Sequence, residues 1–301
     1  MIKIGIVIPT FNRDKLLSVL LDQIVKYDKQ TMDVSTIVVN DGSTDRTDAI
    51  LKEHMRDDRF FIINGDGNWW WTKSFNAGMI YAFNDLKMDY VLSLNDDVEL
   101  YENFFYDLKN VIGTFGDLHG KKYIFNCGSK NIATNEYCDL GVLKNYSNPF
   151  KIHKNTIKDF ELNKNYIKVN HNHGRGLFFP KELYNAIGEL DYNLFPQYLG
   201  DSDYGLRAMN AGFAQYFTKA PYLKSFVELT SKSAYEKTYN FSNFYKRISN
   251  KYSDSNLKMF YAFNKRHFKG LDFLQAMSAD LIKINGGYIK RWLKSSLGPS
   301  K

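Results

Sequence analysis

Two adjacent carboxylates, Asp96 and Asp97, belong to the segment Asn95-Asp96-Asp97, which directly follows a short apolar run at residues 91–94. Neighbouring carboxylates repel each other unless a cation or a basic group compensates their charge. Hard divalent cations such as Mg²⁺ and Mn²⁺ take oxygen ligands, and they often bind only one or two carboxylates together with substrate phosphates. The pair therefore predicts a divalent metal that bridges the protein and a diphosphate.

Two further polar segments also follow apolar runs. Residues 9–13 are Pro-Thr-Phe-Asn-Arg, and residues 40–45 are Asn-Asp-Gly-Ser-Thr-Asp. Asp41, beside flexible Gly42, can accept hydrogen bonds from a base or a ribose, and Arg13 can face phosphate or carboxylate oxygens. Each segment alone could simply cap the next helix. Three such segments at successive strand ends are better explained by one binding site.

Alternating strand-like and helix-like segments position these residues in the first hundred residues. Short β-branched runs predict strands at 3–8, 34–39, 60–63 and 90–94, and helical spacing predicts helices near 16–24, 45–52 and 74–83. This alternation is typical of βαβ crossovers and of a mostly parallel sheet in an α/β fold. Ligands bind such sheets beyond the carboxyl ends of the strands, which is where the polar segments lie.

The pattern is weaker from 120 to 169, where short strand-like pieces alternate with polar residues. A strand at 176–180, a helix through 187 and a second helix at 202–211, ended by Gly212, follow. We therefore predict an α/β domain at 1–230, with halves at about 1–119 and 120–230, and a basic helical region at 231–301.

The composition is that of a globular protein. The chain has 301 residues, of which 44% are hydrophobic and 24% charged, and these values exclude wholesale disorder. Two cysteines exclude a disulfide scaffold. No apolar run approaches the roughly 20 residues of a spanning helix, and the N-terminus does not have the pattern of a signal peptide. We therefore expect a cytoplasmic protein.

The segments at 7–13, 39–45 and 95–97 together resemble the family 2 glycosyltransferases. The resemblance extends over about residues 3–220 and implies the GT-A fold, a UDP- or dTDP-sugar donor, Mg²⁺ or Mn²⁺, and transfer with inversion. It assigns the metal to Asp97 in the DxD motif. It assigns the nucleotide sugar to Pro9, Thr10, Asn12, Arg13, Asp41, Gly42, Ser43, Asn68, Lys73, Asn76 and Asp96.

The segment at 65–78 contains three consecutive tryptophans and resembles a rhamnosyltransferase-like bacterial branch of the family. Phe75 stands where an Arg often precedes the Asn, and Lys73 is the candidate substitute. The tryptophans could be core residues of a strand–helix turn. Three in a row cannot all face one way, so we expect at least one to line the cleft, where indole stacks on sugar rings. Trp70 and Trp71 are therefore candidate acceptor-binding residues.

Residues 199–207 resemble the acceptor-side motif of the family and place Asp201 at the position of the catalytic base. Gly200 replaces the usual Glu, and a helix cap is the alternative role for Asp201. Asp203, a further candidate acceptor contact, is spaced to pair with Arg207. His173 and Arg175 are predicted to line the acceptor pocket; the His-x-His pattern could bind zinc but lacks companion ligands.

These features predict a metal-dependent transfer of a sugar to a glycan or a lipid-linked glycan, in bacterial surface polysaccharide assembly. A sugar-nucleotide pyrophosphorylase is the alternative enzyme, but the segment after the first strand lacks the glycines of its phosphate loop. A nucleic-acid-binding protein would explain the basic residues but not three acidic strand ends, because phosphodiesters avoid carboxylates.

The region at 231–301 carries 14 basic and 4 acidic side chains, and its apolar residues recur at helical spacing. It could form helices that pack on the first domain with a solvated basic face, or a dimer interface. Alternatively, the basic face could meet an anionic membrane surface, which would make the protein peripheral at the inner face of the plasma membrane.

Overall fold

The structure is a computed structural model that describes residues 1–27, 32–145, 152–161, 164–226 and 240–296. Its first part alternates strands and helices, as the sequence predicts. The elements are β1 (Ile2–Thr10), α1 (Asp14–Lys26), β2 (Met32–Asn40), α2 (Thr47–His54), β3 (Phe60–Asn64), α3 (Trp70–Ile80), a π-helical turn (Tyr81–Asp85) and β4 (Tyr90–Ser93). β1 pairs in parallel with β2 and β4, and β2 pairs in parallel with β3.

The second part completes the sheet with antiparallel as well as parallel strands. Its elements are β5 (Val98–Glu99), α4 (Phe104–His119), β6 (Tyr123–Asn131), β7 (Tyr137–Asp139), β8 (Val142–Lys144), β9 (Ile152–Lys154), a 3₁₀ turn (Ile157–Asp159), β10 (Tyr166–Lys168), β11 (Leu177–Pro180), α5 (Lys181–Ile187), α6 (Gly200–Asn210) and β12 (Ala214–Ser225). Among the described residues the main sheet runs β10-β12-β6-β11-β4-β1-β2-β3, with β5 on β12 and β7 on β6. β11 is antiparallel to both its neighbours, so the sheet is mixed beyond the parallel block of β1–β4.

Successive side chains of β1 point to opposite faces of the sheet, and each face has its own buried apolar core. Ile4, Ile6 and Ile8 belong to one buried cluster, which includes apolar residues of α1 and α4. Val7 belongs to the other cluster, where it meets apolar residues of α3. Because both faces are covered, the strand is almost continuously apolar, as in other buried parallel sheets.

Two elements differ from the sequence-based prediction. Helix α4 is not predicted, although its buried residues (104, 105, 108, 111, 112 and 115) have helical spacing. β12 is not predicted either, because Pro221 removes a ladder donor and argues against a strand. The structure accommodates Pro221 where the pairing of β12 with β6 shifts register, between Thr218 and Tyr222.

Three helices form the described part of the C-terminal region: α7 (Phe241–Ser249), α8 (Leu257–His267) and α9 (Gly270–Ser296). α8 packs on α6, where Met259 and Phe263 join a buried cluster with Phe195 and Leu206. The predicted boundary near residue 230 lies outside the described residues. Within the described part of the chain, no helix has the length and apolar character needed to cross a membrane.

Candidate active site

The register of the parallel strands brings their carboxyl ends level. Thr10, the last residue of β1, lies opposite Asn40, the last residue of β2. The loops that follow are joined by Asn12, whose side-chain oxygen accepts a hydrogen bond from the backbone N–H of Thr44 (2.7 Å) and whose own N–H donates to Ser43 Oγ (3.0 Å). Asn12 adopts φ of 52°, a left-handed conformation that Asn tolerates better than most residues. Asn12 and Ser43 thus hold the two predicted nucleotide loops together.

Asp41 is buried and holds the loop that leads into α3. Its Oδ1 accepts from Gly67 N–H, and its Oδ2 accepts from the N–H groups of Trp69 and Trp70, each at 2.9 Å. A carboxylate offers about four acceptor positions, so one remains for a ligand. Gly42, with φ of 70°, lies so close to this loop that a Cβ would come within 2.8 Å of Gly67 N, and only glycine fits.

The carboxylate pair lies beyond β4. Asp96 Oδ2 accepts from Thr10 Oγ at 2.8 Å. Burial and the charge of Asp97 raise the pKa of Asp96 to about 6, against the hydrogen bond from Thr10 and the charge of Arg13. Pro9 is buried in β1, one residue before Thr10.

Asp97 has one oxygen that the described residues leave unpartnered. Its Oδ2 lies 3.9 Å from Arg13 Nη1, whereas its Oδ1 is buried and accepts no hydrogen bond from any of them. An anionic oxygen buried in this way is costly unless a cation or a donor reaches it. The described residues form no cluster of three or more His, Cys, Asp or Glu that could hold a metal ion. The pair therefore fits a hard cation that takes its remaining ligands from phosphate and water.

The three tryptophans point in different directions. The Lys73 ammonium lies 4.6 Å from the centre of the Trp69 ring. Trp70 has φ of 59° and is 39% exposed, and its ring stacks on Tyr252, 4.0 Å away, in the segment between α7 and α8. Trp71 lies against Gly174, where a Cβ would come 2.3 Å from its ring. Asn68 is exposed, and its N–H donates to Asp66.

Asp201 is the second residue of α6 and is half-buried. Its Oδ2 accepts from Gly174 N–H at 2.8 Å, and its Oδ1 accepts from Ser202 N–H at 2.7 Å. The segment containing Gly174 continues to Gly176, whose N–H donates to the carbonyl of Ser93 at the end of β4. A short backbone segment thus connects Asp201 to the end of β4, just before the Asp96–Asp97 pair.

Residues 5–184 match the family model described as glycosyl transferase family 2. The chain belongs to this family. A sequence search of curated proteins finds no match.

Solved structures of two other transferases resemble the whole chain. The TarS 1-349 fragment of S. aureus is 15% identical, with a TM-score of 0.55 over 97% of this chain and 89% of that one. The mannosyltransferase PcManGT of Pyrobaculum calidifontis is 13% identical, with a TM-score of 0.56 over 96% of this chain and 72% of that one. These similarities confirm the predicted GT-A fold, including the C-terminal helices.

A half-buried ionic cluster surrounds His173 and Arg175, two of the predicted acceptor contacts of this glycosyltransferase. His173 Nε2 lies 2.7 Å from Asp139 Oδ2, and Arg175 donates to Ser225 Oγ at 2.5 Å. Burial opposes ionisation of Asp139, but its hydrogen bond to His173 and the His173 charge hold its pKa at about 2. The sequence does not predict Asp139, because it stands 34 residues from His173 with no local pattern to connect them.

Two of the predicted ligand contacts, Asn76 and Asp203, are engaged by partners within the protein. The Asn76 side chain is buried, donates to the Leu190 carbonyl at 2.8 Å and accepts from the Leu190 N–H at 3.1 Å, so it holds two chain segments together. Asp203 is fully buried among Arg207, Arg266 and His267, each within 2.9 Å of one of its oxygens. The predicted pairing with Arg207 is confirmed, and both oxygens of this carboxylate are occupied by these partners.

A cavity of about 120 Å³ lies between the C-terminal helices α8 and α9 and the end of β8. Its walls include Leu199, just before α6, and the aromatic ring of Phe260, with Asn264 and Asp280 among its polar members. Lys144 at the end of β8 also lines it. Burial lowers the pKa of the Lys144 amine to about 8, against the opposing charge of Asp201. Asp201 acts on this cavity only through its charge on Lys144, and no sequence motif marks the cavity.

Proposed function

We propose that this glycosyltransferase moves a sugar from a nucleotide diphosphate, a UDP- or dTDP-sugar, to a saccharide acceptor with inversion at the anomeric carbon. The observation that carries the proposal is the unpartnered, buried Oδ1 of Asp97 beside Asp96, at the strand ends where the two nucleotide loops meet. Two solved neighbours support a nucleotide donor: TarS is known with UDP and PcManGT with GDP-Man and Mn²⁺.

Asp97 and Asp96 would hold Mg²⁺ or Mn²⁺, which when bound supplies positive charge to the diphosphate of the donor. Arg13, 3.9 Å from Asp97, adds a guanidinium at the same place. Its charge stabilises the negative charge that develops on the departing nucleoside diphosphate. Asp41 and Asn12 order the loops that surround the nucleotide, and Asp41 keeps one acceptor position for the base or ribose.

Asp201 acts as the general base. Two backbone N–H groups fix its carboxylate, so that it can take the proton from an acceptor hydroxyl. The hydroxyl oxygen then bonds to the anomeric carbon as the bond from that carbon to the diphosphate oxygen breaks. The two events occur on opposite faces of the carbon, which inverts its configuration.

The acceptor hydroxyl meets Asp201, and the cavity lined by Lys144 is the candidate subsite for the rest of the acceptor, because the charge of Asp201 acts on the Lys144 amine. Aromatic walls with ammonium, amide and carboxylate groups suit a saccharide, because sugar rings have apolar faces and polar edges. Trp70, whose ring stacks on Tyr252 and stays 39% exposed, is a further candidate contact for the acceptor. A glycan or lipid-linked glycan of a bacterial surface polysaccharide has this chemistry. The cytoplasmic location stays a prediction.

The test is a panel of nucleotide sugars, each with and without Mn²⁺, screened by thermal shift. We expect one donor to raise the melting temperature in a metal-dependent way and to release nucleoside diphosphate when an acceptor is added. Formation of pyrophosphate from a sugar phosphate and a nucleoside triphosphate would instead show a pyrophosphorylase.

A further inference from the structure

Asn126 is a fully buried polar residue in the middle of β6. Its neighbours along the strand, Ile124, Phe125 and Cys127, are buried apolar side chains. Ile124 lies two residues earlier and so on the same face of the sheet, where it belongs to a buried apolar cluster. An apolar residue at 126 would extend this core, whereas an amide gives up its contacts with water to be buried there. The amide at this position therefore needs an explanation other than packing.

The amide of Asn126 donates to two backbone carbonyl groups of one segment. Its Nδ2 lies 2.7 Å from the carbonyl oxygen of His173 and 3.1 Å from that of Arg175. These bonds use both N–H groups of the side chain, while its Oδ1 is buried and accepts no hydrogen bond from any described residue. The opposite orientation of the amide would place Oδ1 against two carbonyl oxygens. Asn126 therefore holds the backbone on both sides of Gly174.

Gly174 is the residue that connects this clamp to the candidate base. Its N–H donates to Asp201 Oδ2 at 2.8 Å. The other hydrogen bonds to Asp201 from described residues are local, from the N–H and the hydroxyl of Ser202 at 2.7 Å and 3.4 Å. Within the described part of the chain, Gly174 is thus the one donor outside α6 that reaches this carboxylate. The Trp71 ring packs against Gly174, so the backbone at this point is confined by the ring as well as by Asn126.

We propose that Asn126 is a positioning residue for Asp201. By fixing the carbonyl groups of His173 and Arg175, it fixes the N–H between them and, through that N–H, the direction of Asp201 Oδ2. The inference rests on the proposed function, in which Asp201 takes the proton of the acceptor hydroxyl. A displacement of reacting groups by about 1 Å can cost about 10²-fold in rate, so a clamp on the backbone donor of the base affects turnover.

Asn126→Leu tests the role, because leucine has nearly the same shape as asparagine but donates no hydrogen bond. In a nucleoside diphosphate release assay we expect kcat to fall about 10–100-fold, with the KM and the calorimetric Kd of the donor within about twofold of the parent. In the Asp201→Asn background the same substitution should lower kcat by less than about twofold, because the two residues act as a unit. A residue that only stabilised the fold would lower kcat by the same factor in both backgrounds.

Asn165→Leu is the matched control. The Asn165 side chain also bonds to the backbone, donating to the carbonyl of Ala220 and accepting from its N–H. Its substitution should lower the free energy of unfolding and leave kcat within about twofold of the parent. If Asn126→Leu fails to fold, Asn126→Ser is a smaller polar change that carries the same test, with an expected fall in kcat of about fivefold and an unchanged donor KM.

Three results would overturn this inference alone. They are a parental kcat of the folded Asn126 variant, an equal fall in kcat in the parent and the Asp201→Asn background, and a fall in kcat for Asn165→Leu as large as that for Asn126→Leu. A parental kcat of Asp201→Asn is a different result. It would refute the general base, and with it both the proposed mechanism and the role of Asn126.

Discussion

Asp41→Asn tests whether one carboxylate holds the loop between the nucleotide side and α3. The carboxylate accepts three backbone hydrogen bonds, two on Oδ2 and one on Oδ1. An amide has a single acceptor oxygen. Even in its better orientation, the substituted amide would present its NH₂ group to the N–H of Gly67, so at least one donor loses its partner.

The size of the effect follows from burial. Asp41 is only 6% exposed, so water cannot readily replace the lost acceptor. Leaving a buried donor unsatisfied costs about 1–3 kcal/mol. Removing a negative charge from the N-terminus of α3 costs a further 0.3–1 kcal/mol or so. We therefore expect Asp41→Asn to lower the free energy of unfolding by about 1–4 kcal/mol.

Urea denaturation followed by tryptophan fluorescence measures this change, because Trp69, Trp70 and Trp71 report on the loop itself. Asp66→Asn is the matched control: Asp66 is exposed in the same loop, and its side-chain contact with Asn68 N–H, at 2.9 Å, can be made by an amide oxygen. The control should stay within about 0.5 kcal/mol of the parent. If Asp41→Asn also stays within that range, or if both variants lose equally, the reasoning is refuted.

Three further predictions concern the site. Asp97→Ala should abolish metal-dependent donor binding in calorimetry. The free energy of unfolding should stay equal or rise, because the substitution removes a buried oxygen that has no partner among the described residues. Retained donor binding would contradict the metal assignment. Asp201→Asn should lower turnover about 10²–10⁴-fold in a nucleoside diphosphate release assay with donor affinity unchanged, whereas Ser202→Ala should keep turnover. Lys144 loses its proton near pH 8 in the folded state but only near 10.5 when unfolded, so between these values the unfolded state binds more protons and stability rises with pH. In urea melts at different pH, the free energy of unfolding of Lys144→Gln should therefore not show this rise. If the variant and the parent have the same dependence on pH, the amine is not buried.

The parallel strands β1 to β4 could be predicted because the sequence pattern that marks each strand lies within the strand itself. Each strand from β1 to β4 is an apolar run, and each ends in polar residues at the same edge of the sheet. Buried strands and amphipathic helices have different periods, so a single sequence distinguishes them. The same locality explains why Asp41, Asp96 and Asp97 are identifiable as candidates from the sequence alone.

The supporting contacts could not be predicted, because they join distant parts of the chain. Arg266 and His267 reach Asp203 from more than 60 positions away, and Asp139 reaches His173 across 34. Such pairs leave no periodic signal. The motif spacing therefore suggests that Asp203 meets an acceptor, whereas its actual partners are the side chains that attach α8 to α6.

The tryptophan segment connects the two halves of the site through consecutive residues. Its first members donate backbone hydrogen bonds to Asp41, on the nucleotide side. Trp71, one residue later, packs on Gly174, and the N–H of Gly174 donates to Asp201. A shift of the loop at Asp41 would therefore reach the Trp71 ring, which rests against the backbone partner of Asp201. Because packed interiors transmit strain rather than absorb it, we expect the position of Asp201 to respond to a substitution at Asp41.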